Sequence, residues 1–125
     1  MLNFPKTIRS FKYAFAGIRY LIFYENNMRF HLLVSVSVLA FCFFVGLSNT
    51  EWCFIVIVLS SVWISEAFNT AIENLCNFVS SDYHLQIKIV KDIAAAAVLF
   101  TAIMAAIVGI IILAPKLLTL ARVYF

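Results

Sequence analysis

Four polar residues stand on one face of an otherwise apolar run: Glu66, Asn69, Glu73 and Asn77. The run follows directly on the apolar stretch 52–64 and reads as the same helix continuing. Spacings of three and four residues stack these side chains on one side of a helix. Ionisable groups in such a segment are costly and face a bundle interior or a water-filled cavity. Mg²⁺ prefers oxygen ligands and commonly takes one or two carboxylates together with substrate phosphates. A remaining carboxylate in a partly desolvated place can act as general base on an alcohol. The plainer alternative is that the acidic face serves interhelical hydrogen bonding and glues a bundle together.

The elements that must position this face follow from composition. Of 125 residues, 65% are hydrophobic and only 12% are charged, and mean hydropathy is +1.04. A soluble domain of this size cannot hide that much apolar surface. The expected architecture is an all-α membrane protein of one domain, residues 1–125, with an N-terminal amphipathic surface helix and three transmembrane helices. The surface helix is expected over ~4–24, with Phe4, Ile8, Phe11, Phe15, Ile18 and Ile22 on one side. Lys6, Arg9, Lys12 and Arg19 gather on the other, suited to anionic lipid or another polyanion. No cleavable leader is expected, because these cations are spread through the segment and the first long apolar run starts after Phe30.

Glu25-Asn26-Asn27-Met28-Arg29 reads as a polar break at the membrane edge, followed by spans at ~30–48, ~51–79 and ~92–113. Ser48-Asn49-Thr50-Glu51 reads as a short turn and 80–91 as a polar connection. Asp92 suits the positive end of a helix dipole, and Pro115 is expected to end the third span. Ala94-Ala95-Ala96-Ala97 gives a smooth face for close helix approach. Counting from Glu51, Glu66 lies ~22 Å and Glu73 ~33 Å along the helix, toward the far interface rather than the bilayer centre.

Orientation follows from Lys and Arg. Residues 6, 9, 12, 19 and 29 precede the first span, none lies between spans one and two, and 88 and 91 lie between two and three. Such a distribution puts the N-terminus and the second connection in the cytoplasm. Glu25, Glu66, Glu73, Lys91 and Asp92 then share the cytoplasmic face. Carboxylates, amides and lysines at one interface suit a divalent cation plus a polyphosphate.

Several chemistries are excluded. Gly17, Gly46 and Gly109 are isolated, so no P-loop or Gly-rich kinase loop can be built. No His-Glu-x-x-His motif occurs. Cys42, Cys53 and Cys76 lie in apolar segments without metal-ligand spacing. No nucleic-acid partner is expected. Two rivals to a phosphotransferase remain open on the residues alone, a non-catalytic assembly subunit and an ion conduit using Glu66 and Glu73.

The run Glu66-Ala67-Phe68-Asn69-Thr70-Ala71-Ile72-Glu73, with Tyr83-His84 and Lys91-Asp92 through Ala97-Val98, resembles the signature of the prokaryotic diacylglycerol kinase and undecaprenol kinase family. Gly17-x-Arg19 and Glu25-x-x-x-Arg29 fit upstream. The resemblance covers nearly the whole chain. It implies ATP-dependent phosphorylation of a membrane lipid alcohol by a homotrimer, in the bacterial inner membrane, with sites shared between neighbouring subunits. By resemblance Glu66 is the general base, while Glu25 and Glu73 hold Mg²⁺ on ATP. Asn69 lies near the transferred phosphate, and Lys91 and Asp92 contact the nucleotide. Asp82, Tyr83 and His84 border it, Lys6 and Tyr13 meet ATP or lipid, and Arg9, Arg19 and Ala95 fall on the lipid side. Asn77 sits where many members carry Asp, and an acidic family residue after Glu25 is replaced around His31. The resemblance leaves diacylglycerol and undecaprenol equally open as acceptor.

Overall fold

The computed structural model describes residues 4–80 and 82–124, and among these every regular element is helical. The four helices are α1 Phe4–Tyr24, α2 Asn26–Val45, α3 Asn49–Val79 and α4 Leu85–Tyr124. Helices α2, α3 and α4 are each long and apolar enough to cross a membrane. The 31 residues of α3 extend ~46 Å, well beyond a hydrocarbon core of ~30 Å.

The polar break expected over 25–29 contracts to Glu25 alone. Its backbone is extended (φ −103°, ψ 116°) and it caps α2 without a side-chain bond. Asn26 and Arg29 form the first turn of α2 instead, where the Arg29 guanidinium donates to Asn26 Oδ1 at 2.8 Å. Polar residues satisfied by one another on an exposed turn do not interrupt a helix. The first span therefore begins at Asn26 rather than near 30, and it ends at Val45 rather than 48. Gly46 stops it with φ +74°, a left-handed conformation that favours glycine, and its N–H bonds the Cys42 carbonyl at 3.1 Å.

The expected turn over 48–51 is shorter too. Ser48 is the N-cap of α3, and Ser48 and Glu51 form a reciprocal capping box. The Ser48 N–H donates to Glu51 Oε2 at 2.7 Å, and the Glu51 N–H donates to Ser48 Oγ at 3.3 Å.

The largest departures concern α4. It starts at Leu85, not near Asp92, and continues through Pro115 to Tyr124. Asp92 is thus two turns inside the helix and pairs with Lys88 across one turn rather than capping an end. Proline removes the bond to the carbonyl four residues back, and its ring crowds that carbonyl. An established helix tolerates that loss where neighbouring groups compensate. Thr119 Oγ1 donates to the Pro115 carbonyl at 3.0 Å, and Lys116 binds Glu51 and the Gly46 carbonyl, each at 3.1 Å. These contacts bind α4 to the α2–α3 turn.

The α3–α4 pair has the most extensive packing, α2 lies against α3 and more lightly against α4, and α1 packs on α2. The buried apolar residues Met28, Cys42, Ile55, Val62, Cys76, Ala94 and Val98 mark these contacts. Most other large apolar side chains are exposed, Phe43 and Phe44 among them. All three cysteines are free.

Candidate active site

Helix α3 delivers the acidic face to the junction with the start of α2. Glu66 is 2% exposed and Asn69 4%, while Glu73 is half-buried. Asn27 and His31 on α2 and Glu25 before it lie near the Glu66 carboxylate, as does Glu73 further along the same face. Among the described residues no Lys or Arg ion-pairs with Glu66, Glu73 or Glu25. A buried carboxylate without a cationic partner is costly to keep and marks a functional site.

Asn69 Nδ2 donates to Glu73 Oε1 at 3.4 Å, one turn along the face. Asn69 Oδ1 is buried and has no partner. A buried, unpartnered carboxamide oxygen on the side chain that bonds Glu73 is an open hard-oxygen acceptor. That fits a divalent cation completed by phosphate oxygens and water. Among the described residues no three His, Cys, Asp or Glu side chains converge as a complete metal site. Glu25 and Glu73 would therefore need the nucleotide to complete a coordination shell.

One turn further on, Asn77 receives a 2.7 Å hydrogen bond from Lys91 Nζ. An amide at this position holds the ammonium without neutralising it. Asn77, Lys91 and Asp92 line a cleft of about 430 Å³ with Asp82, Tyr83, His84 and Lys88. The fold thus brings Asp82, Tyr83, His84, Lys91 and Asp92 to one place, beside the end of the acidic face.

A separate apolar groove of about 410 Å³ runs between α2, α3 and α4. His31 and Ser35 lie at its end nearest Glu66, and Val62, Ala106 and Gly109 line it along with Ile55. A third cleft, between α3 and α4, is lined by Asn69, Ala94 and Ala97. Ala95 stands on the exposed side of α4.

On α1, Lys6, Arg9, Tyr13 and Arg19 are exposed. Arg19 stacks over Phe23 in its own helix, 5.7 Å from the ring centroid. Among the described residues no hydrogen bond or ion pair joins Arg9, Tyr13 or Arg19 to a carboxylate. Asn27 and His31, by contrast, reach Glu66 although the acidic-face pattern does not include them. Their signal in the sequence is a run of polar residues four apart, Asn27, His31 and Ser35, on one face of an apolar helix.

Against known proteins, residues 12–113 match the family model described as prokaryotic diacylglycerol kinase. The chain is 38% identical over 117 residues to a diacylglycerol kinase of Synechocystis sp., a match covering 93% of this chain and 67% of that protein. It is 36% identical over 109 residues to an undecaprenol kinase of Bacillus subtilis, covering 87% of this chain and 89% of that protein.

Proposed function

The chain belongs to the prokaryotic diacylglycerol kinase family, and we infer on that premise that it is a lipid kinase that moves the γ-phosphoryl group of ATP to a membrane lipid alcohol. The acceptor class is that of the two relatives, whose names specify diacylglycerol and undecaprenol. The observation that carries the mechanism is Glu66, buried and, among the described residues, without a Lys or Arg ion pair.

In this reading Glu66 takes the proton of the lipid hydroxyl as its oxygen attacks the γ-phosphorus. A new P–O bond forms to the lipid, the bond to the β-phosphate bridging oxygen breaks, and ADP leaves. Asn27 stands beside the Glu66 carboxylate. Lys91, its charge left free by Asn77, binds phosphate oxygens, and Asp82, Tyr83, His84 and Asp92 border the nucleotide. Glu25 and Glu73 would hold Mg²⁺, which when bound neutralises charge on the ATP phosphates. Asn69 lies where its open carboxamide oxygen meets that set. Phosphoryl transfer asks mainly for positioning and electrostatics, which these side chains supply.

The apolar groove below His31 suits the lipid's hydrocarbon, and its hydroxyl would come up beside Glu66. Helix α1 would lie on the membrane surface with Lys6, Arg9, Tyr13 and Arg19 toward ATP or lipid headgroups. Ala95, smooth and exposed, would face the lipid. The working form is a homotrimer in the bacterial inner membrane, with N-terminus and site cytoplasmic. Five Lys and Arg residues before α3's turn, and none between α2 and α3, support that orientation.

The test is phosphate transfer from labelled Mg-ATP by purified protein in micelles with equal mole fractions of undecaprenol and diacylglycerol. Label in either lipid, lost in Glu66→Ala, supports the reading and names the acceptor. No label in either lipid refutes it.

A further inference from the structure

Four side chains outside the acidic face tie α3 to its neighbours on both flanks of Glu66. On one flank the Trp63 indole N–H donates to Ser35 Oγ at 3.0 Å. Ser35, 3% exposed, donates in turn to the His31 carbonyl at 2.7 Å. On the other flank Ser65 Oγ and Thr101 Oγ1 lie 2.8 Å apart. Ser65 Oγ also lies 2.9 Å from the Val62 carbonyl, and Thr101 Oγ1 2.9 Å from the Val98 carbonyl. Helix α3 is therefore bonded to α2 through Trp63 and to α4 through Ser65, both within three residues of Glu66.

The angles matter more than the number of bonds. Around the axis of α3, Trp63 lies about 60° to one side of Glu66 and Ser65 about 100° to the other. Turning the helix either way opens one of the two bonds. A side chain ends about 5–6 Å from the axis, so a turn of about 20° carries the carboxylate about 2 Å. Misplacement by about 1 Å at a reacting centre costs on the order of 100-fold in rate. The groove beside Val62 leaves part of the α2-facing side of α3 unpacked, so the Trp63–Ser35 bond adds a restraint on that side.

We propose that Trp63–Ser35 and Ser65–Thr101 are positioning pairs that fix the rotation of α3 and hold Glu66 against the acceptor hydroxyl. The inference rests on the reading of Glu66 as the base. Trp63, Ser65 and Thr101 lie outside the groove assigned to the lipid, so the effect of changing them falls on the rate of the chemical step and not on binding.

The experiment measures kcat and both KM values for Trp63→Phe, Thr101→Val, Thr101→Ser and the double variant Trp63→Phe/Thr101→Val. Each is normalised to folded protein by circular dichroism. Trp63→Phe keeps the ring and loses the N–H, and Thr101→Val keeps the shape and loses the hydroxyl. Expected are losses in kcat of about tenfold or more for each, with KM for ATP and lipid within about twofold. Thr101→Ser should restore kcat to within about twofold of the parent, and the double variant should lose more than either single change. Unchanged kcat per folded molecule with a lowered unfolding midpoint would overturn the proposal, leaving the pairs merely structural. A raised KM with kcat intact would also overturn it. Glu66→Gln is run alongside. If it is fully active, the base reading fails and the positioning inference fails with it. If it is inactive while Trp63→Phe and Thr101→Val keep the parent kcat, only the positioning inference fails.

Discussion

Replacing Glu66 by Gln separates chemistry from architecture. The side chain is 2% exposed, so the substitution must fit a packed site, and Gln matches Glu in shape. Its amide oxygen keeps the place of one carboxylate oxygen beside Asn27. What disappears is the proton acceptor and one negative charge. General-base catalysis contributes about 10²–10⁴ in rate, so kcat should fall by that factor, a barrier increase of roughly 3–5 kcal/mol. Stability should move the other way. The charge sits near Glu25 and Glu73, and among the described residues no Lys or Arg pairs with it; removing a strained functional charge stabilises by on the order of 1 kcal/mol. The assay pairs initial rates of lipid phosphorylation with unfolding in mixed micelles. A fall in kcat with an equal or higher unfolding midpoint is the expected result. Parent-level kcat refutes the base assignment. A large loss of stability refutes it differently, since it would show that the carboxylate serves to glue the bundle.

Glu73→Gln should leave the protein folded and raise the Mg²⁺ concentration for half-maximal rate by about tenfold; a titration of rate against Mg²⁺ that overlays the parent removes Glu73 from the metal site. Lys91→Ala should raise KM for ATP by about tenfold while KM for lipid stays put, because it deletes a point charge on phosphate. Gly109 lines the apolar groove with open space around it, so Gly109→Leu should fit the fold and raise KM for long-chain lipid by about tenfold, the equivalent of one lost pocket contact. A short-chain alcohol should be phosphorylated as before, and equal losses for both acceptors would mean that the groove does not take the hydrocarbon.

Much of the molecule is legible in the chain because its determinants are local. The apolar runs are long enough to declare three spans, and the three-and-four spacing of Glu66, Asn69 and Glu73 declares a single helical face. The resemblance carried by Glu66 to Glu73 and by Lys91-Asp92 named the family. Helix ends were less legible, since local stop signals compete with helix propagation. Pro115 and the connection expected over 80–91 look like boundaries, yet α4 runs from Leu85 to Tyr124. The Lys116 bonds to Glu51 and Gly46 hold the far side of the proline against another helix, and no local rule contains that contact.

The environment of Glu66 lies furthest from the sequence. That Glu66, Asn69 and Glu73 share a face was determined by spacing along one helix. That Asn27 and His31 confront Glu66, and that Lys91 reaches Asn77, was decided by how α2 and α4 register against α3. Register depends on side-chain fits between helices far apart in the chain, such as Trp63 with Ser35 and Ser65 with Thr101. The periodicity of a single helix states which groups travel together, and only the packed helices state what those groups meet.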